Sequence, residues 1–507
     1  EPLHGASYAV PVTAAQMRAT TRPAPRSFTS YATSPAVHTL TQHRLSDPQQ
    51  QQQRPHATVA AASAAAQPAA AGATAATVPP LRRQLARLAG LRTPARTTPA
   101  RGVVMGASPS GPAAGMPGAA MAPPPPPGQP LAQPVVPVQA CVSRVALPSR
   151  AIDRLRGCLW GIYIGDSLSM PVHWYYDTAR LHADFGDITD YQAPKARHPG
   201  SIMALSNTGG HGRGGQAGRI IGDVINHGKH EFWGKPAVHY HQGMLAGENT
   251  LNALCARVVT RDVAAHGGYD WRSFLSAYVT FMTTPGSHND TYAESFHRDF
   301  FANWAKGVPP EQCSKGTEGH NTAQIGGFVM LPPVILSQCG RGVEAARDAC
   351  IRHLSLTHES RKLASYANLY SDMLYRIVND QADLRDTLRG VASGHLRLDL
   401  DQLAAAGYTD QRVVHSTFGS ACYIDDSFPS MLYLAFKYAD SFEKGVLANT
   451  NVGGENCHRG SALGALLGAA AGESGIPDRL KDGLHDSAGI RSEIDAYVTA
   501  LFEVSDA

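Results

Sequence analysis

After Pro148 the apolar positions recur with helical spacing. Ile152, Leu155, Leu159 and Ile162 share one face of a segment that Ser149 can cap. Thr250 opens a second segment, with Leu251, Leu254, Cys255, Val258 and Val259 at i, i+3, i+4, i+7 and i+8, the stripe of a helix that buries one side. The same period predicts helices near Trp271–Met282, Val343–Leu354, Arg361–Val378 and Met431–Ala439. A last one starts near Ser461 as Ser-Ala-Leu-Gly-Ala-Leu-Leu-Gly-Ala-Ala-Ala-Gly, whose small residues would let a neighbouring helix come close. There is no series of alternating strands and no repeat of roughly 20–50 residues. The expectation is an all-α, bundle-like domain over residues 147–507.

Residues 1–146 carry no such pattern. They are rich in Ala, Pro, Gln and Arg, with a Gln run at Gln49–Gln53, an Ala-rich stretch at Ala60–Ala76 and a Pro run at Pro123–Pro127. So little apolar surface cannot offset chain entropy, and a disordered leader is expected. Its Pro-rich end to Pro137 would be a semi-rigid spacer, or less readily a ligand for a proline-recognition module. Charge divides at the same place. Up to Arg150 the chain holds thirteen Arg, no Lys and two acids, a net +11. The remainder holds 31 basic and 39 acidic residues, a net −8. The overall +3 therefore does not describe a nucleic-acid-binding protein, because the basic part is thinly spread and lacks interleaved aromatics. The Arg-rich, acid-poor leader, with the amphipathic stretch Leu81–Leu91, reads either as a transit segment or as a low-complexity tail.

No apolar run reaches the roughly 18 residues needed to span a bilayer. A soluble intracellular protein is expected, cytoplasmic or imported into a plastid or mitochondrion, with no membrane partner. Eight cysteines, none in a Cys-x-x-Cys pair, argue against a zinc ribbon and a disulfide framework.

Three segments place polar residues at helix ends within apolar surroundings: Gly161-Ile-Tyr-Ile-Gly-Asp-Ser-Leu-Ser-Met-Pro-Val-His173, Gly247-Glu-Asn-Thr250 and Gly453-Gly-Glu-Asn-Cys-His-Arg-Gly460. Each alone reads as helix capping. Gly-Glu-Asn before a helix occurs twice, and free N–H groups at a helix start suit acids and anionic substrate groups. Other candidates are weaker. Asp425-Asp426 copies an Asp-Asp metal pair that could restore missing charge but reads more readily as a first-turn acid pair, and His288-Asn-Asp-Thr291 with Glu294 reads as a cap in preference to a polar patch. The run Gly209–Gly218 reads as a cleft loop whose amides could meet a diphosphate, rather than as a dinucleotide fingerprint. His227, His230, His239 and His241 read as surface or satisfied histidines. Cys457 and His458, being adjacent on a helix, do not suit a nucleophile pair.

Together the segments resemble the ADP-ribosylglycohydrolases, including the dinitrogenase-reductase-activating glycohydrolase, over Leu147–Phe502. The family's first motif, Gly-Asp-Ala-Leu-Gly-x-Pro-x-Glu, is matched by Gly165-Asp-Ser-Leu-Ser-Met-Pro-Val-His173. Its Thr-Asp-Asp-Thr is matched by Gly247–Thr250, a Thr-His pair by Thr357-His358, and Gly-Gly-Asp-Thr-Asp-Thr by Gly453–His458. The resemblance implies an all-α fold and a cleft in which magnesium or manganese ions assist removal of ADP-ribose from a modified side chain or ester.

The motifs depart at most ligand positions. His173 stands for Glu; Gly247, Glu248 and Asn249 stand for Thr-Asp-Asp; Glu455 and Cys457 stand for the Asp-x-Asp pair, and His458 for Thr. Asp166 and Thr250 are kept. Two or three carboxylates balance two divalent ions poorly, whereas His173, Cys457 and His458 would suit one softer ion such as zinc, manganese or iron. By carry-over, Glu248, Glu455 and Asp166 are the candidate catalytic residues, with Glu248, Glu455 and Cys457 as candidate ligands. His173, Asn249, Thr250, Asn456 and His458 are candidate substrate contacts. The expected function is hydrolysis of a ribosyl C1 bond in a small molecule or ADP-ribosylated protein. A non-catalytic relative that binds ADP-ribose or serves structurally, and a hydrolase of another N-glycosidic substrate, are the alternatives.

Overall fold

A computed structural model describes residues 143–205, 220–319 and 322–505. The expected leader up to residue 142 and the Gly209–Gly218 loop lie outside the described residues. Strand β1 (Val145–Pro148) straddles the expected boundary at Leu147 and pairs in parallel with β2 (Phe502–Ser505), Val145 opposite Phe502. The frame of the site is helical: α1 (Ser149–Ser169), α2 (Leu251–His266), α3 (Ser295–Trp304), α4 (Arg361–Val378), α5 (Ile424–Lys437), α6 (Phe442–Val452), α7 (Asn456–Ala471) and α8 (Ser487–Leu501). No described helix is long and apolar enough to cross a membrane.

The centre is an antiparallel pair, α1 against α7. Both are buried on every side, α1 from Gly157 to Ser169 and α7 from Asn456 to Ala469, as apolar helices without a polar face must be. Glycines let them touch backbone to backbone. A Cβ on Gly157, Gly161 or Gly165 would lie 2.3, 2.0 or 2.0 Å from the carbonyl oxygen of Gly468, Gly464 or Gly460. The four-residue spacing puts each set on one ridge of its helix. The register brings the C-terminal end of α1 to the N-terminal end of α7. Helices α4, α5 and α6 pack against α7, and α8 packs against α2.

Ser149 is the first residue of α1 and not its cap; Pro148 holds the cap position, without a side-chain cap bond. Helix α5 begins seven residues before the expected Met431, carrying Pro429 inside it. Helix α7 begins at Asn456 rather than near Ser461, because Glu455 caps it by accepting from the His458 N–H. The segments Val343–Leu354 and Arg361–Val378 form helices with the expected bounds.

Candidate active site

The first and third motifs are stitched by backbone. Trp174 N–H donates to Gly454 O at 2.8 Å and Gly454 N–H to Tyr175 O at 2.7 Å. Both Gly453 and Gly454 have positive φ, and a Cβ on Gly453 would lie 2.3 Å from Tyr175 O, so no other residue fits that crossing. Trp174 itself has φ 61°, a strained conformation that surrounding structure must enforce.

Asp166 sits at the centre of the first arrangement. Its Oδ2 accepts from Thr250 N–H (2.7 Å) and Asn249 Nδ2 (3.0 Å), and its Oδ1 from Thr250 Oγ1 (2.6 Å) and Cys457 Sγ (3.2 Å). Four donors meet the acceptor capacity of one carboxylate, which leaves Asp166 no lone pair for an ion. Burial pushes its carboxyl up, opposed by those donors. Burial together with the neighbouring Asp166 pushes the Cys457 thiol well up, so it stays a thiol that donates.

The second arrangement is open. His173, Glu455 and His458 are 0–2% exposed, and one donor atom from each lies within 4.8 Å of the others. His173 Nε2 is 3.0 Å and His458 Nδ1 2.9 Å from Glu455 Oε1. Glu294 adds a second carboxylate, its Oε1 3.4 Å from His458 Nδ1, while its Oε2 accepts from Asn252 Nδ2 at 2.6 Å. Gly326 makes room for it, since a Cβ there would overlap the Glu294 carboxylate. Among the described residues, Glu294 Oε1, Glu455 Oε2 and His458 Nδ1 are buried without a hydrogen-bond partner. The His458–Glu455 contact is thus ionic, without hydrogen-bond angles. Orphaned buried polar atoms are costly, and three of them on side chains that meet one another mark a place built for something else.

The electrostatics agree. Burial would raise Glu455, but His173 and His458 outweigh it and hold the carboxyl well below the usual range. Burial raises Glu294, with His458 opposing. Burial would lower His458, yet Glu294 and Glu455 push it up to about 10. Burial holds His173 down at about 3. Behind His173 runs a second file: His173 Nδ1 meets His241 Nε2 at 2.7 Å, and His241 Nδ1 meets Asp290 Oδ1 at 2.8 Å. Burial would raise Asp290; His241 and the N–H groups of Leu251 and Tyr292 bring it to about 2.

The expected residues therefore separate. His173, Glu455 and His458 come together, and Asp166, Asn249, Thr250 and Cys457 form the neighbouring knot. Glu248 joins neither: it accepts from Leu245 N–H (2.6 Å) and from Asn289 Nδ2 (3.1 Å) at a half-exposed turn, so the expected pairing with Glu455 is replaced by Glu294. Cys457, expected as a ligand, faces Asp166. Asn456, expected against ribose, is fully buried and donates to Thr450 O at 3.0 Å. Asp425 lies at the first turn of α5, bonded to Tyr366 and paired with Lys362. Glu294 holds the cap position of α3 but makes no cap bond; its side chain turns inward. Asp290, Glu294 and His241 are the residues around the His173–Glu455–His458 trio that sequence reasoning sets aside. The one signal for them is the four-residue interval from Asp290 to Glu294 leading into a helix.

The model of the ADP-ribosylglycohydrolase family matches residues 147–507. Crystallin J1A of Tripedalia cystophora is 18% identical over 344 residues, covering 65% of this chain and 91% of that protein. A solved chain described as an ADP-ribosylglycohydrolase-related protein complex is 17% identical, with a TM-score of 0.43, covering 69% of this chain and 99% of its own. With a match over the whole helical domain, the chain belongs to the ADP-ribosylglycohydrolase family.

Proposed function

We propose that this chain is a glycohydrolase acting at a ribosyl C1 bond, with one divalent ion of borderline softness where its family is expected to hold two hard ones. The reading is carried by one observation: Glu294 and Glu455 both pair in charge with His458 Nδ1, at 3.4 and 2.9 Å, while Glu294 Oε1, Glu455 Oε2 and His458 Nδ1 are buried without a hydrogen bond. A pair of magnesium ions does not fit, since Asp166 is saturated and Glu248 faces elsewhere. One zinc, manganese or iron ion fits the mixed nitrogen and oxygen donors of His173, Glu455 and His458. Held there, such an ion would lower the pKa of bound water and neutralise developing charge.

The chain's own groups do the rest. Glu455, held ionised by its histidines, keeps the site negative. Glu294, raised by burial and facing His458, takes the part of the general base. It takes a proton from the water that adds to C1 and returns one to the nitrogen or oxygen that leaves. The substrate class, an ADP-ribosylated side chain or a related N- or O-glycoside, rests on family membership. Purified protein assayed for metal content and for ADP-ribose release with zinc, manganese and magnesium tests this. Release that Glu294→Gln abolishes while metal content is kept supports it; no release with any ion overturns it.

A second reading is an ADP-ribose-binding or structural protein without turnover. Two observations favour it: the Asp166 knot is closed by its own hydrogen bonds, and a relative carries the name crystallin. A thermal shift with ADP-ribose but no turnover would select it.

A further inference from the structure

Hydrogen counting along the file behind His173 points to a role for two residues outside the carried-over motifs. Asp290 Oδ1 can only accept from His241 Nδ1 at 2.8 Å, so that nitrogen carries a hydrogen. In the arrangement with one hydrogen on each ring, His241 Nε2 accepts, and its 2.7 Å contact places the hydrogen on His173 Nδ1. His173 Nε2 is then left with a lone pair aimed at Glu455 Oε1, 3.0 Å away. With a second hydrogen on His241, His173 Nε2 would instead donate to Glu455 Oε1, so the hydrogen on His173 decides between a free ligand lone pair and a closed hydrogen bond.

The surroundings fix the file. Asp290 is held by the Leu251 N–H at 2.8 Å, at the first residue of α2, and by the Tyr292 N–H at 3.0 Å. His241 backbone N–H donates to His239 Nδ1, whose Nε2 donates to Pro171 O, which anchors this stretch of chain beside the file. His198 Nε2 donates to His173 O and Trp174 stacks on the His173 ring with centroids 3.8 Å apart. All of these rings are buried.

We propose that Asp290 and His241 are positioning residues: a carboxylate–imidazole relay that locks His173 as the Nδ1–H tautomer and presents its Nε2 lone pair as a nitrogen ligand. This rests on the one-ion reading above. Outer partners of this kind orient a ligand and raise its basicity, and removing one typically costs about 10–100-fold in metal affinity.

The test uses the full chain labelled with 15N-histidine and titrated with zinc, with tautomers read from two-bond 15N–1H correlations. The expected result is a hydrogen on Nδ1 of both His173 and His241, with zinc shifting His173 Nε2. Asp290→Asn and His241→Phe should each weaken zinc binding about 10–100-fold in competition titrations, with helical content kept. If either variant does not fold, the wild-type tautomers still decide. Absence of zinc uptake by the wild type would overturn both this and the one-ion reading. Zinc uptake with His173 as the Nε2–H tautomer, or with affinity unchanged in folded Asp290→Asn, would overturn the relay alone.

Discussion

Replacing Gly161 by alanine sets two known effects against each other, and their sizes decide the sign. Alanine favours a helix interior over glycine by about 1 kcal/mol, so propensity alone predicts stabilisation. The new Cβ, however, would lie 2.0 Å from Gly464 O, where ordinary contact begins at 3.4 Å. The helices would have to part by more than an ångström, and both opposing atoms are backbone, so no rotamer change relieves the clash. Overpacking of a tight core costs typically 1–3 kcal/mol, and a backbone-on-backbone clash belongs at the upper end. The net expectation is destabilisation by about 2 kcal/mol, or about 3 °C in Tm for a domain of this size. Gly390, helical, exposed and with nothing within 4 Å of an added Cβ, is the control: Gly390→Ala should stabilise by about 0.5–1 kcal/mol. Because Gly161 and Gly464 meet each other, the double variant should cost less than the sum of the singles. Urea unfolding of these variants beside the wild type measures all of this. A Gly161→Ala variant as stable as the wild type would refute the claim that the α1–α7 pair is set by backbone contact.

Other outcomes are equally specific. His353 and His358 are buried and held at about 3 by that burial, against about 6.5 when unfolded. Their contribution is full above pH 6.5 and is lost as pH falls toward 3. At pH 5 each should have cost about 2 kcal/mol, so a urea midpoint that stays flat from pH 7.5 to 5 would count against it. Gly326→Ala should displace Glu294 and cut turnover at least tenfold while leaving stability within about 1 kcal/mol, because the atom it meets is the end of a side chain; intact turnover would remove Glu294 from the reaction. Chelating the ion from protein loaded at about 100 times its Kd should remove roughly 2.7 kcal/mol of stability, visible as a lower Tm; an unchanged Tm argues that no ion binds at the trio.

The sequence is most legible where a single helix decides its own pattern. Arg361–Val378 buries one stripe, and its bounds follow from Leu363, Ala367, Tyr370, Leu374 and Val378 with Ser360 as cap. The start of helix α5 is hidden because Pro429, which removes one N–H from the helix ladder, reads as a break, yet the helix runs through it. The site is half legible. His173, Glu455 and His458 sit in motifs whose order carries over. Glu248 sits in the matching motif too, but its side chain takes the local option of closing its own turn on Leu245 N–H, a choice that spacing does not encode. Glu294, Asp290 and His241 read as cap or satisfied residues since each has that role in outline. Only packing shows that Glu294 makes no cap bond and that His241 joins a carboxylate to another histidine.

The α1–α7 pair also has a kinetic consequence. Its two ridges come from opposite ends of the domain, and Asp166 and Glu455 ride on them, one near each contact line. Contact order is therefore high where the chemistry lies, and loop-closure entropy must be met before the central contact forms. During synthesis the Gly157–Ser169 part of α1, buried all round in the folded chain, leaves the ribosome long before α7 exists to cover it. The nascent chain presents a bare helix that a chaperone would recognise, and the candidate catalytic centre is among the last parts of the molecule to come into being.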